Sequence, residues 1–191
     1  MTAGAEASVA ASDPKVLAVA DLQFALGEGP SADAFADGRP VLIGDLARTD
    51  GRWVAFTSAA LAHGVTGVYA FPLAVGAVRL GVLACYTDAG HTLDGDDLRR
   101  CLLAVDSATE LLLSSSDEGS PRPDPAVEES LTIRSEVYQA QGMLMVELAV
   151  SLPDALARLR AMAFAEGIQL NDLAADLVAG RRSFPERDEE T

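Results

Sequence analysis

The sequence of 191 residues has little cysteine, little histidine and few cations. Its two cysteines, Cys85 and Cys101, are too few for a disulfide framework, and both lie in apolar runs, which favours buried thiols in a reducing cytoplasm. Asp and Glu number 29 against 14 Lys and Arg, which gives a net charge of −15. A surface of this sign repels phosphate backbones and anionic lipid unless basic residues gather locally.

Signals for export, for a membrane span and for wholesale disorder are also missing. Hydrophobic residues make up 49% and charged residues 23% of the chain, the composition of a folded soluble protein. The apolar run after Lys15 stops at Asp21, too soon for a signal peptide. Residues 53–78 hold no Asp, Glu, Lys or Arg, but three glycines and Pro72 interrupt them. We interpret this stretch as a buried helix followed by a buried strand, and expect a cytoplasmic protein without membrane contact.

Residues that catalysis or metal binding requires are scarce as well. His63 lies in an apolar stretch and is interpreted as a core or helix-end residue, and His91 as a solvated loop residue. Residues 27–30, Gly-Glu-Gly-Pro, lack the third glycine of a dinucleotide-binding loop and predict a tight turn. The acidic residues in 94–97 do not follow a calcium-loop pattern and are expected to cap a helix. We therefore predict no enzyme, no metal site and no cofactor.

A linker divides the chain. Residues 114–130 contain three alternating prolines among small polar and acidic residues, a composition that fits neither a helix nor a central strand. The predicted organisation is a first domain of residues 1–115, a linker of 116–126, a second domain of 127–182 and a tail of 183–191.

The first region mixes strands and helices. Two apolar runs flank the turn at Gly76, which predicts a β-hairpin. A helix capped by Asp96 or Asp97 follows, with apolar residues at helical spacing as far as Leu112. The predicted elements are a strand at 39–45, a helix at 53–62, hairpin strands at 68–73 and 79–86, and this final helix. The pattern indicates an antiparallel α+β domain.

The second region contains helical patterns only. The first helix is predicted over 131–148, and Ser151 caps a second helix that ends at Gly167. Gln169 or Asn171 opens a shorter third helix, which completes a small three-helix bundle. Residues 131–182 carry five arginines and six acidic residues, a net charge of −1, whereas the remainder carries −14. Charge alone fits both nucleic-acid binding and helical dimerisation.

Short motifs recur in a definite order along this second region. They are Arg134, the run Gln139-Ala140-Gln141-Gly142-Met143-Leu144-Met145, Ser151, Ala155-Leu156, Leu159-Arg160 and Leu170-Asn171-Asp172-Leu173-Ala174. In this order they resemble the ANTAR domain, the three-helix RNA-binding module of bacterial transcription antiterminators, over residues 127–182. The sequence departs from the family pattern at Gln141, Ala161 and Phe164, where the family has lysine, arginine and a polar residue. Each departure lowers the positive potential.

The ANTAR resemblance implies a function and a set of contacts. It implies a dimer that favours an antiterminator form of nascent transcripts made of paired small hairpins. The implied RNA-binding residues are Arg134, Gln139, Gln141, Arg158 and Arg160, with arginines on phosphates and glutamine amides on loop bases. The alternative is a protein-interaction or dimerisation regulator whose RNA binding has degenerated.

Segments of the first region also follow a known order. They are Leu22 to Pro30, Arg39-Pro40-Val41, Arg52-Trp53, Phe71-Pro72-Leu73 and Arg79 to Leu83. These segments resemble the GAF domains that precede ANTAR modules, with Ser31 where that family often has cysteine. The resemblance implies a sensor of an unknown small molecule. The residues before Asp13 are fewer than GAF relatives carry, so we expect either an N-terminally short domain with an exposed sheet edge or a start codon placed too late. Separately, the apolar stripes of the helices on either side of the linker predict a homodimer through these helices.

Overall fold

A computed structural model of the chain describes residues 10–88, 93–114 and 125–184, with the side chains of all of these except 125–133. The chain divides into two compact units, Ala18–Arg122, and Met1–Leu17 together with Pro123–Thr191. Within the described residues there are seven α-helices and one three-stranded antiparallel sheet. The predicted α+β class, with a helical C-terminal region, is confirmed.

Two helices near the N-terminus were not predicted. They are α1, Pro14–Leu26, and α2, Pro30–Asp37. The Asp13 carboxylate accepts a hydrogen bond from the Val16 backbone N–H at 2.9 Å, which caps α1 and lowers the pKa of Asp13. The apolar residues of α1 are distributed around the helix rather than along one stripe, so its sequence gives no periodic signal.

The sheet consists of β1, Val41–Ile43, β2, Gly67–Val75, and β3, Val78–Thr87, in the order β1-β2-β3. The predicted hairpin is confirmed, and Gly76 takes a positive φ of 59° in its turn. The predicted first strand is real but shorter, because only Val41–Ile43 pair with β2, with Val41 opposite Ala70. β2 is the central strand, and its first five residues are buried.

The third helix, α3, Val54–Ala62, precedes β2 as predicted, and His63 lies at its end on the surface. Phe56 and Ala60 of α3 pack in a core with Val19, Leu46, Trp53, Val65 and Val68. The uncharged stretch 53–78 is therefore a helix followed by strands. Among the described helices, none has both the length and the apolar character that crossing a bilayer requires. His91 lies outside the described residues.

The fourth helix, α4, runs from Gly95 to Ser114. Asp94 caps it, since its Oδ1 accepts hydrogen bonds from the backbone N–H groups of Asp96 and Asp97, each at 2.9 Å. The prediction that Asp96 or Asp97 is the cap was wrong by two or three residues, because Asp96 and Asp97 already belong to the first turn. α4 leaves four leucines exposed: Leu102, Leu103, Leu111 and Leu113.

The C-terminal helices are α5, Pro125–Leu148, α6, Leu152–Glu166, and α7, Leu170–Val178. α5 begins six residues before the predicted position and includes the last two residues of the predicted linker. Pro125 is compatible with this, because the first residue of a helix needs no N–H partner. Ser151 caps α6 and Gly167 ends it at φ 66°, both as predicted, and of the two candidates for opening α7, Gln169 is the N-cap. The core of the bundle consists of Val137, Ala140, Leu144, Ala155, Leu159, Ala163, Leu170, Leu173, Ala174 and Leu177.

Candidate functional site

The residues of α5 that the sequence assigned to RNA divide between two faces of the helix. Arg134 and Gln141 are only 6% and 5% exposed and share the buried face with Val137 and Leu144. Gln139 is exposed on the opposite side. This division follows from helix geometry, because residues 134, 137, 141 and 144 recur every three or four positions. The structure therefore places one of the three side chains where a ligand can reach it.

Gln141 uses its side-chain amide inside the bundle. Its Nε2 donates a hydrogen bond to the backbone carbonyl of Leu152 at 2.7 Å, which joins α5 to the start of α6. A buried amide without a partner would be costly, so this bond explains how a polar side chain is tolerated here. The expectation that Arg134 and Gln141 contact RNA directly stays a prediction, and their burial assigns both side chains to the interior of the bundle.

The two arginines of α6 differ in position and exposure. Arg158 is exposed and Arg160 is half-buried. Two residues apart in a helix, they point to different sides, so the structure does not bring them onto one face. Within the described residues, Arg158 has no ion-pair partner.

The arginines that follow α7 are held in ion pairs. Arg181 Nε lies 2.7 Å from Asp176 Oδ1, and Arg182 pairs with Glu166 and, at 3.5 Å, with Asp176. The hydrogen bond to Glu166 raises the pKa of Arg182. These carboxylates offset the two cations, so the local charge that attracts a phosphate at this end of the bundle is small.

One face of α5 is exposed, or half-exposed at Gly142, along three helical turns. Ser135, Gln139, Gly142 and Val146, which we call the α5 outer face, stand three or four residues apart and lie on the same side. Val146 is 70% exposed. A Cβ built at Gly142 meets no atom within 4 Å. Packing within the described part of the chain therefore does not require a glycine at this position, although a glycine within a helix costs about 0.8–1.0 kcal/mol relative to alanine.

A second exposed apolar residue lies on α6. Phe164 is 85% exposed, at the position where the ANTAR resemblance gives a polar residue. Arg160 precedes it by four positions and is therefore its neighbour on the helix surface. An exposed aromatic ring beside a cation can stack on a base or dock against an apolar partner. Sequence reasoning treated Phe164 only as a loss of polarity, because exposure could not be read from the sequence.

The first unit contains a buried polar cluster around Gln23. Gln23 is 5% exposed, and its Nε2 donates hydrogen bonds to the Ser31 hydroxyl at 3.0 Å and to the Tyr86 hydroxyl at 2.9 Å. Its Oε1 accepts from the Ser31 backbone N–H at 2.8 Å. A Cβ on Gly29 would lie 2.4 Å from that oxygen, and Gly29 has a φ of 142°, so only glycine fits. The predicted turn at 27–30 is confirmed, and Gln23 ties it to α1, α2 and β3.

Two carboxylates near this turn are also engaged. Glu28 Oε1 accepts a hydrogen bond from the Phe56 backbone N–H at 2.9 Å, which satisfies a donor in the first turn of α3. Asp33 Oδ2 accepts from Arg52 at 2.8 Å and from the indole N–H of Trp53 at 3.2 Å. The sequence segments that suggested a family thus make the polar contacts that hold the first unit together. Within the described residues, no three His, Cys, Asp or Glu side chains gather as a metal-binding set.

Comparisons with known proteins assign both regions. A family model described as the GAF domain matches residues 2–109, and one described as the ANTAR domain matches residues 126–178. A solved structure described as mutated NreA protein in nitrate binding site, from Staphylococcus aureus, is 24% identical and superposes with a TM-score of 0.30. The match covers 39% of this chain and 59% of that one, so the chain spans about three fifths of its length. No curated protein matches the chain.

Proposed function

The chain belongs to the GAF domain family and carries an ANTAR domain after the GAF domain, and on this premise we propose that it binds RNA and controls transcription termination. As a GAF–ANTAR protein it is a regulator that couples a sensor domain to an effector domain. The ANTAR match over 126–178 carries the proposal, because ANTAR domains bind RNA and act in antitermination. We further propose that its target is a pair of small hairpins in a nascent transcript.

The α5 outer face suits recognition of unpaired bases. The amide of Gln139 offers both a donor and an acceptor, which is the chemistry that reads the edges of bases in an RNA loop. Gly142 lies one turn further along, and the open space over it lets a base or sugar come close to the helix backbone. We assign direct RNA contact to this face rather than to Arg134 and Gln141, which are buried.

Phosphate contact is assigned to the arginines of α6. Arg158 is exposed and has no ion-pair partner among the described residues, and the helical region has a net charge near zero in an otherwise acidic chain. Counterion release from RNA then supplies affinity that falls with salt. Arg160 is half-buried and lies next to Phe164. Its guanidinium would bind a phosphate while the Phe164 ring stacks on the base of the same nucleotide or a neighbouring one.

The test is a titration of the full-length protein with a fluorescent two-hairpin RNA over a series of salt concentrations. Arg158→Ala should weaken binding and flatten the slope of log affinity against log salt by about 0.7. The matched control is Arg48→Ala, which removes an exposed arginine from the GAF unit. Gln139→Ala should weaken binding to the hairpin loops, whereas Gln169→Ala, an exposed glutamine with no side-chain cap bond, should not.

A second candidate is a protein-interaction or dimerisation regulator. The exposure of Phe164 and Val146 favours it, since large apolar side chains on a surface mark contact sites with other proteins. If the wild-type protein binds no hairpin RNA at low salt, this candidate replaces RNA binding.

We propose that the GAF unit senses a small molecule and that the protein is a homodimer. The four exposed leucines of α4 support the dimer, because large apolar side chains left on a surface gain stability when a partner covers them. A thermal-shift screen of metabolites on the full-length protein tests the ligand. A compound that raises only the melting temperature of the GAF unit would identify it.

A further inference from the structure

The two cysteines of the chain are neighbours in space. Cys85 lies in β3 and Cys101 in α4, and their sulfur atoms are 3.7 Å apart. Both side chains are half-buried. The sequence predicted two buried thiols and did not indicate that they meet, because 15 residues lie between them. The fold brings them together because α4 packs on β2 and β3 of the same unit.

The distance is that of two thiols in contact rather than of a bond. Closing it to the S–S bond length of about 2.05 Å requires the sulfurs to approach by about 1.7 Å in total, within reach of small side-chain rotations. The two thiols lie on elements that already pack together, so little chain entropy opposes their meeting. Because each is only half-buried, a small oxidant has access to the pair.

We propose that Cys85 and Cys101 form a reversible oxidation site that a hydroperoxide converts to a disulfide between β3 and α4. One thiolate attacks a peroxide oxygen, the O–O bond breaks, and a sulfenic acid and hydroxide form. The second thiol then attacks the sulfenic sulfur, the S–S bond forms, and the sulfenic oxygen leaves as water. In total, two thiols and one hydrogen peroxide give one disulfide and two waters. A dithiol reverses the reaction by exchange.

The environment separates the roles of the two sulfurs. Burial and the contact with Cys101 raise the pKa of Cys85 to about 12, so Cys85 stays protonated at neutral pH. Only a thiolate attacks peroxide, so the raised pKa disfavours Cys85 as the first nucleophile, and we assign the first attack to its neighbour Cys101. Cys85 is the resolving thiol, held in contact with the sulfur that it will attack. The proposal does not depend on RNA binding.

Hydrogen peroxide and the full-length protein are sufficient for the test. Brief treatment should lower the intact mass by that of two hydrogen atoms and abolish alkylation of both cysteines, and a dithiol should restore both properties. Peptide mapping should then join the segment with Cys85 to the segment with Cys101. Cys85→Ser should accumulate a sulfenic acid that dimedone traps, whereas Cys101→Ser should react much more slowly.

Two results would overturn the proposal. One is oxygen addition on either cysteine of the wild-type protein without an intramolecular crosslink. The other is a crosslink that appears only between two chains on non-reducing gels. Cys85→Ser and Cys101→Ser each keep one thiol, so the reactivities of the two thiols can be compared one at a time. Circular dichroism spectra of both variants first establish that they are folded.

Discussion

Replacing Gly142 by alanine separates the stability of the helical unit from its binding function. A Cβ at this position meets no atom of the chain within 4 Å, and the backbone is helical, so the added methyl group introduces no strain. Alanine is favoured over glycine within a helix by about 0.8–1.0 kcal/mol. For a unit of this size, that gain raises the melting temperature by roughly 4–8 °C.

RNA binding should respond in the opposite direction. If a nucleotide lies against the α5 outer face at Gly142, the same methyl group occupies its space, and overpacking of this kind costs about 1–3 kcal/mol. We therefore expect Gly142→Ala to bind hairpin RNA between about 5-fold and about 160-fold more weakly. If the variant is more stable and binds RNA more weakly, unfolding cannot explain the weaker binding.

The assay pairs calorimetry with fluorescence anisotropy at one fixed salt concentration. Gly95→Ala is the matched control, because a Cβ at Gly95 also meets nothing within 4 Å, but Gly95 begins α4 in the other unit. It should leave RNA affinity unchanged. If Gly142→Ala is more stable and binds RNA as tightly as the wild type, RNA does not approach α5 at this position. If the variant is less stable, the space over Gly142 is not open.

Two further substitutions probe the bundle and the assembly. Gln141→Ala removes the hydrogen bond to the Leu152 carbonyl and should lower the free energy of unfolding of the helical unit by about 1–2 kcal/mol in urea titrations. An unchanged urea concentration at half unfolding would contradict the structural role of this amide. Leu111→Glu places a charge among the exposed leucines of α4 and should shift the protein from dimer to monomer. Light scattering at micromolar concentration measures this shift, and a wild-type protein that is already monomeric would refute the dimer.

The hairpin and the three C-terminal helices could be predicted because local signals agree there with the tertiary structure. The apolar runs on either side of Gly76 carry the pattern of a hairpin in the sequence itself, and Ser151 and Gly167 mark helix ends by their own chemistry. α1 escaped prediction because its apolar residues surround the helix and give no periodicity. Its helical state is determined by burial, which only the folded chain defines.

The candidate site was harder to predict than the fold. A family motif identifies which residues belong together, and it led to Arg134 and Gln141 as RNA contacts. Whether a polar residue in such a motif faces solvent or the core depends on the neighbouring helix. Here the Gln141 amide faces the core, because it donates a hydrogen bond to the Leu152 carbonyl of α6. The exposure of Phe164 and the meeting of Cys85 with Cys101 depend likewise on contacts between distant parts of the sequence.

Because Gly29 lies so close to Gln23, the residues tolerated at each of these positions during evolution depend on the residue at the other. The amide that reaches the Ser31 N–H occupies the volume that any side chain at position 29 would need. Shortening Gln23 relieves that steric conflict, but the φ of 142° still strains any side chain at position 29, and the Ser31 N–H loses its acceptor, so each single step lowers stability. Substitutions at these positions should therefore be strongly non-additive. Among related chains, a residue other than glycine at position 29 should be found only where position 23 is no longer glutamine.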